Sequence, residues 1–193
     1  MVELIRMWIH ENKRVFGDRM ISQEDRDTLD GLLLNEASNN FKLTRDQIYV
    51  TERILFADYI NGIDGENRPY IWIQDLKDLV RKVEGYLEDY NSGVKNPMRL
   101  ILFLDACDHV SRICRILRAP QGNAFLLGVG GSGRQSLAKL SSYISGQKCF
   151  QIEVVKGYAM TNWRDNLKSC LMQAGVEGKP TTFLFCDTQI INE

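Results

Sequence analysis

Histidine and proline are scarce in this 193-residue chain, with two of the first and four of the second. The histidines, His10 and His109, stand far apart, and each reads as a helix-surface residue, so no metal site is expected. The five cysteines (Cys107, Cys114, Cys149, Cys170 and Cys186) form no C-x-x-C pair. They fall on apolar faces of expected helices and strands, which reads as free buried thiols in a reducing cytosol. A formal net charge of −1 gives no reason to invoke nucleic acid or an anionic membrane. No apolar run approaches the roughly 18 residues of a membrane span, and the N-terminus lacks a signal-peptide pattern. Internal repeats and low-complexity tracts are also missing. What remains, 44% hydrophobic residues over 193 positions, is material for one large or two small globular domains.

Against that background residues 128–136 stand out, reading G-V-G-G-S-G-R-Q-S. A phosphate-binding loop has the pattern G-x-x-x-x-G-K-[ST]. Its glycines let successive N–H groups point into one anion site, its Lys reaches the β/γ-phosphates, and its hydroxyl holds Mg²⁺. Gly128 and Gly133 stand at that spacing, with Val129, Gly130, Gly131 and Ser132 between them. The Lys position is Arg134 and the hydroxyl position is Gln135, with Ser136 next. The loop is therefore expected to cradle a nucleotide while its equipment for cleaving one is altered. Residues 124–127 (A-F-L-L) read as a buried parallel strand leading into the loop. Residues 136–145, with Leu137, Leu140 and Tyr143, read as a helix whose N-terminus faces the phosphate. A plain turn is the competing reading of any glycine-rich stretch.

Residues 182–186 (T-F-L-F-C) form a second β-rich apolar run, ending in Asp187. A carboxylate at the tip of a strand beside the loop strand is where P-loop proteins hold the water shell of Mg²⁺; the alternative is an Asp capping a turn. Thr188 and Gln189 follow. A hydroxyl or an amide can position water but is a poor base near neutral pH. Between the two motifs, residues 148–155 read as a strand, 161–173 as a helix with Trp163, Leu167, Cys170 and Leu171 on one face, and 175–180 as a loop. The order fits an α/β fold with parallel strands.

The first hundred residues read as helical. Residues 4–16 carry Ile5, Trp8, Ile9 and Val15 at near-helical spacing, followed by Glu11, Arg14, Asp18 and Arg19 as surface ion pairs worth a few tenths of a kcal/mol each. Residues 23–37 read as a second helix, 61–69 as a turn-rich loop, and 72–90 as an amphipathic helix with Ile73, Leu76, Leu79, Val80, Val83 and Leu87. The stretch 91–97 is the best boundary. Beyond it, residues 100–117 carry the stripe Phe103, Cys107, Val110, Cys114 and Leu117, with Arg112, Arg115 and Arg118 complementing the helix dipole.

The pair G-V-G-G-S-G-R-Q-S-L and F-L-F-C-D-T-Q-I resembles the fourth AAA+ module of an axonemal (ciliary) dynein heavy chain. Residues 103–117 (F-L-D-A-C-D-H-V-S-R-I-C-R-I-L) resemble the helix leading into that module. Residues 4–20 resemble the helical lid closing the third. The resemblance implies an α/β fold, a partial P-loop NTPase (AAA+) parallel sheet preceded by an all-helical region. Residues 1–97 would be lid and linker of the preceding module, and 98–193 the first half of the next, cut after the Asp187 strand. Three strands of a five-stranded sheet are expected, with apolar edges for missing strands to cover.

By the same resemblance, Gly128 to Ser136 would bind ATP or ADP. Arg134 would be the phosphate counter-charge, and Asp187 would hold Mg²⁺ through water with help from Ser136. Hydrolysing AAA+ ATPases normally carry Glu after that Asp, so Thr188 implies weakened or absent hydrolysis and no confident catalytic residue. An arginine of the first helix would sense the preceding module's nucleotide, if it is not simply ion-paired. Such a site regulates a microtubule motor in the cytoskeleton of the cytoplasm and the ciliary or flagellar axoneme. Its partners are the neighbouring AAA+ modules and, through the parent chain, intermediate and light chains and microtubules, with no nucleic acid or membrane. Two alternatives stay open. One is a nucleotide-free structural spacer, with Arg134 closing the loop onto Asp187; the other is an autonomous P-loop kinase or ATPase.

Overall fold

The computed structural model describes residues 1–65 and 67–190. The chain divides into two compact units, one of Met1–Ile60 with Pro69–Leu76, the other of Asn61–Arg68 with the chain from Lys77 onward. No described helix is long and apolar enough to cross a membrane.

In the first unit, α1 (Val2–Val15), α2 (Gln23–Phe41) and the single turn α3 (Arg45–Ile48) join a two-residue antiparallel pairing of β1 (Phe56–Ala57) with β2 (Ile71–Trp72). Ser22 starts α2 by accepting from Asp25 N–H at 3.0 Å, and Lys42 ends it in the left-handed region at φ 59°. The i, i+4 pairs Ile5/Ile9 and Leu33/Ala37 put one face of each helix into a core shared with Ile48, Ile54 and Phe56. Each of the isoleucine, leucine and phenylalanine side chains, once buried, contributes about 1.5–3 kcal/mol. Arg6 finishes the last turn of α3, donating to Gln47 O at 2.7 Å and Ile48 O at 2.9 Å, with its guanidinium 4.1 Å from the Trp72 ring centre.

His10 departs from the expectation of a helix-surface residue. It is 5% exposed, with Nδ1 2.9 Å from Ile54 O and Nε2 2.8 Å from the Tyr70 hydroxyl. A carbonyl only accepts, so Nδ1 carries a proton. Its burial is possible because both ring nitrogens find partners from distant parts of the chain. His109 is exposed, as expected.

The second unit contains α4 (Leu76–Ser92), α5 (Leu104–Leu117), α6 (Arg134–Ile144), β3 (Lys148–Gln151), α7 (Met160–Leu171) and β4 (Thr181–Leu184). Leu79, Val83 and Leu87 form the buried face of α4, and Cys107, Val110 and Cys114 that of α5. Phe103, placed on that stripe by its spacing, instead precedes α5 and is exposed. Helices α5 and α6 are tied by Ser141, whose hydroxyl donates to Val110 O at 3.4 Å and whose carbonyl accepts from Cys114 Sγ at 3.6 Å. The turn at 93–97, where a boundary was expected, is closed by Asn91, which donates to Met98 O at 2.9 Å and accepts from Met98 N–H at 2.7 Å. All of helix α4 but its first residue falls in the same compact unit as the residues that follow it. The loop expected over 61–69 includes Glu66, which lies outside the described residues.

Strands β3 and β4 pair in parallel, Lys148 with Thr181 through Gln151 with Leu184. Residues 124–127, expected as a third strand, form no ladder: Phe125 is 85% and Leu127 80% exposed. A strand is defined by its neighbour's N–H and C=O groups, and β3 and β4 pair only with each other among the described residues. The result is an α/β unit with a two-stranded sheet. Its aromatic side chains are only partly covered, with Trp163 of α7 edge-on to Phe185 at 5.7 Å and Phe183 at 6.2 Å.

Candidate functional site: the glycine loop and the strand ends

The loop turns on two glycines in the left-handed region, Gly131 at φ 78° and Gly133 at φ 79°. This backbone carries a Cβ penalty for other residues and brings consecutive N–H groups toward one side. Gly133 is the N-cap of α6, so Arg134, Gln135 and Ser136 are its first three helical residues. Their N–H groups have no partner four residues back and carry the positive end of the helix dipole. The helix thus begins two residues earlier than the expected 136–145, and the altered positions Arg134 and Gln135 sit in its first turn. A Cβ at Gly128 would meet Ser132 Oγ at 3.2 Å and Arg134 Cδ at 3.4 Å; the Arg134 stem lies close over that glycine.

Arg134 folds back on its own loop, Nη2 donating to Val129 O at 3.3 Å and Nη1 to Leu126 O at a long 3.5 Å. Asp187 opens a 3-10 turn, Asp187–Gln189, three residues past β4, and accepts from Thr188 N–H at 2.9 Å. Arg134 and Asp187 are not joined to each other by a hydrogen bond or ion pair among the described residues. Thr188 is exposed beside Asp187.

The loop and the strand ends are connected by glutamines. Gln151 Nε2, at the end of β3, donates to Gln135 Oε1 at 3.3 Å and lies 3.7 Å from Cys186 Sγ. Gln189 is 8% exposed; its Oε1 accepts from Cys186 N–H at 2.7 Å and its Nε2 donates to Ile152 O. Both halves of that amide are spent on backbone, so it does not position water as its place after Thr188 suggested. Gln147 repeats the device at the other end of the pair, accepting from Thr182 Oγ1 at 2.5 Å and donating to Leu117 O at 2.9 Å. Burial first, then the charge of Asp187, pushes the Cys186 thiol up, against the opposing pull of Lys139 and Arg134.

The donor set does not fit a Mg²⁺ held directly by the protein. The hydroxyl position is an amide whose oxygen already accepts from Gln151, Ser136 sits one residue further along the helix, and Asp187 is the one carboxylate of the turn. Mg²⁺ demands near-octahedral oxygen ligation.

Left-handed glycines feeding a helix N-terminus next to a parallel strand pair are the framework of the P-loop NTPases, and likeness to known sequences narrows that class to the AAA+ motors. A family model described as P-loop containing dynein motor region D4 matches residues 98–193. A model of the AAA+ lid domain matches residues 1–51. The human dynein axonemal heavy chain 1 is 43% identical over 192 residues, covering 100% of this chain and 4% of the human protein. Human dynein axonemal heavy chain 3 is 41% identical over 201 residues, covering 98% and 5%. Human dynein axonemal heavy chain 6 is 39% identical over 194 residues, covering 100% and 5%. The chain belongs to the axonemal dynein heavy-chain family of AAA+ P-loop proteins, and it spans about 4–5% of the length of these relatives.

Proposed function

We propose that this chain carries a regulatory nucleotide site of a dynein motor, binding ATP or ADP at residues 128–136 and hydrolysing it slowly or not at all. The observation that carries the reading is the left-handed Gly131 and Gly133 leading into the α6 N-terminus, a backbone cradle with the polarity for phosphate. The always-charged Arg134 stands where a Lys would reach the phosphates. Weak hydrolysis follows from Thr188 in the place of a general base and from Gln189 being committed to backbone. P-loop dynein modules in general use nucleotide with Mg²⁺. In this chain Asp187 would approach such an ion only through water.

The same reading places the chain in the motor ring, next to other AAA+ modules. The parent protein would act on microtubules in the axoneme with intermediate and light chains. The relatives' names support the axonemal location.

A second reading has its own observation. Arg134 already bonds to the carbonyls of its own loop, which suits a self-closed, nucleotide-free spacer transmitting strain. Equilibrium binding of ribose-labelled fluorescent ADP separates the two. The nucleotide reading expects saturable binding that Arg134→Ala weakens by about tenfold or more, a loss of roughly 1.4 kcal/mol. Absence of saturable binding to the folded chain, checked by circular dichroism, supports the spacer.

A further inference from the structure

We infer that nucleotide binding at this loop is indifferent to divalent cations, the Gln135–Gln151–Cys186 contact standing where other P-loop sites bind the metal. The inference rests on the nucleotide reading above and concerns what that site requires.

The argument begins with position 135. A hydroxyl there is short and offers an oxygen close to the helix axis, where it ligates a cation bridging the β- and γ-phosphates. The Gln135 side chain is longer by an amide group, and its oxygen accepts from Gln151 Nε2 at 3.3 Å. Gln151 comes from the end of β3 and also approaches Cys186 Sγ at 3.7 Å. The start of α6 is thereby linked to both strand ends through neutral groups. The same linkage ends at Cys186, the residue before Asp187, whose counterpart in P-loop proteins holds a metal's water shell. A Mg²⁺ ion taken up directly by the Gln135 oxygen would compete with Gln151 Nε2 for it.

Charge balance supports the same conclusion. Mg²⁺ brings two positive charges to a nucleotide's phosphates. In this chain Arg134 lies over the loop at Gly128, and Lys139 follows on α6 with its charge felt at both Cys149 and Cys186. Arg134 puts one positive charge on the loop itself, and its guanidinium offers five donors in a planar fork suited to phosphate oxygens. The opposing carboxylate, Asp187, is exposed and turned onto Thr188 N–H.

The test is binding of a ribose-labelled fluorescent, non-hydrolysable ATP analogue to the full 193-residue chain in excess MgCl₂ and in excess EDTA. The expected result is a Kd equal in the two conditions to within about twofold. A Kd raised about tenfold or more in EDTA, roughly 1.4 kcal/mol of binding free energy, overturns the inference and leaves nucleotide binding standing. No binding in either condition overturns the nucleotide reading and this inference with it. Gln135→Thr restores a hydroxyl and is expected to create the missing dependence, with tighter binding in MgCl₂ than in EDTA. If Gln135→Thr, folded by circular dichroism, is as indifferent as the parent chain, the amide is not the cause and the inference fails on that point.

Discussion

In the first unit charge meets charge or an aromatic face: Lys13 lies 2.7 Å from Asp30, Arg14 2.8 Å from Glu11, and Arg6 over Trp72. In the second, the glycine loop and strand ends are held by neutral amides, Gln135, Gln147, Gln151 and Gln189. Around His10 the first unit is closed, with Phe56 and Tyr70 rings 5.5 and 6.1 Å from the imidazole. The second leaves Phe125, Leu127 and Phe185 exposed beside its site. Ion pairs suit a scaffold that keeps one arrangement. A site that must admit a highly charged ligand is better framed by groups that neither attract nor repel it, leaving the field to Arg134 and the helix dipole.

The sharpest break in this comparison is a pair of truncations. Ile9→Ala, at a residue with no exposure, is expected to cost about 2–5 kcal/mol in urea unfolding. Phe125→Ala, despite removing a larger side chain, is expected to stay within about 0.5 kcal/mol of the parent. Next in size is Gln189→Leu. It strands Cys186 N–H and Ile152 O at the strand ends and is expected to cost about 1–3 kcal/mol. Its unfolding is read through Trp163, the one tryptophan of the second unit, in a Trp8→Phe/Trp72→Phe background. An unchanged midpoint would show the glutamine contacts to be ornamental.

Titration separates the units by the sign of its effect. Burial works against the charged form of Asp30, but hydrogen bonds from Lys13 and Tyr49 outweigh it and hold the carboxyl below its ordinary 3.8. A depressed acid contributes stability above its unfolded value and loses it as pH falls through the folded one. The first unit should therefore weaken below about pH 4, and Asp30→Asn should remove that part of the dependence, worth about 0.5–1 kcal/mol after screening. Burial, with Glu84 nearby, pushes the Cys107 thiol up to about 12. A raised group contributes fully below its ordinary 9.0 and loses that contribution as pH rises toward 12. The second unit should weaken across that alkaline window, and Cys107→Ala should flatten the slope. The smallest effect is that of salt. Raising NaCl to 1 M should erode the exposed side of the Lys13–Asp30 pair and leave the Gln189 contribution unchanged, within a few tenths of a kcal/mol.

Periodicity made α4 and α5 legible, because Leu79, Val83 and Leu87, or Cys107, Val110 and Cys114, need only their own helix to line up. The glycine loop was legible because Gly131 and Gly133 are required by local backbone geometry. Residues 124–127 read as a strand and do not form one, since an extended run becomes a strand only beside a neighbour, which no local pattern supplies. The burial of His10 depends on Ile54 and Tyr70, 44 and 60 positions away. The glutamine contacts were missed for the same reason: Gln135 meets Gln151, and Gln189 meets Ile152, across the fold. The β1–β2 pairing was missed because Trp72 read as the start of the helix over 72–90, whereas in β2 it pairs with Phe56 and α4 begins at Leu76.

The most direct test of the central claim is the unfolding transition of each unit with and without ADP. Trp163 reports the second unit in the Trp8→Phe/Trp72→Phe background, and Trp72 reports the first with the other two tryptophans replaced. With ADP at about 100 times its Kd, the Trp163 transition should gain roughly 2.7 kcal/mol, and Arg134→Ala at the same ADP concentration should cut that gain to about 1.4 kcal/mol or less. A Trp163 transition unmoved by ADP, or one moved equally in Arg134→Ala, would contradict a nucleotide site at the glycine loop.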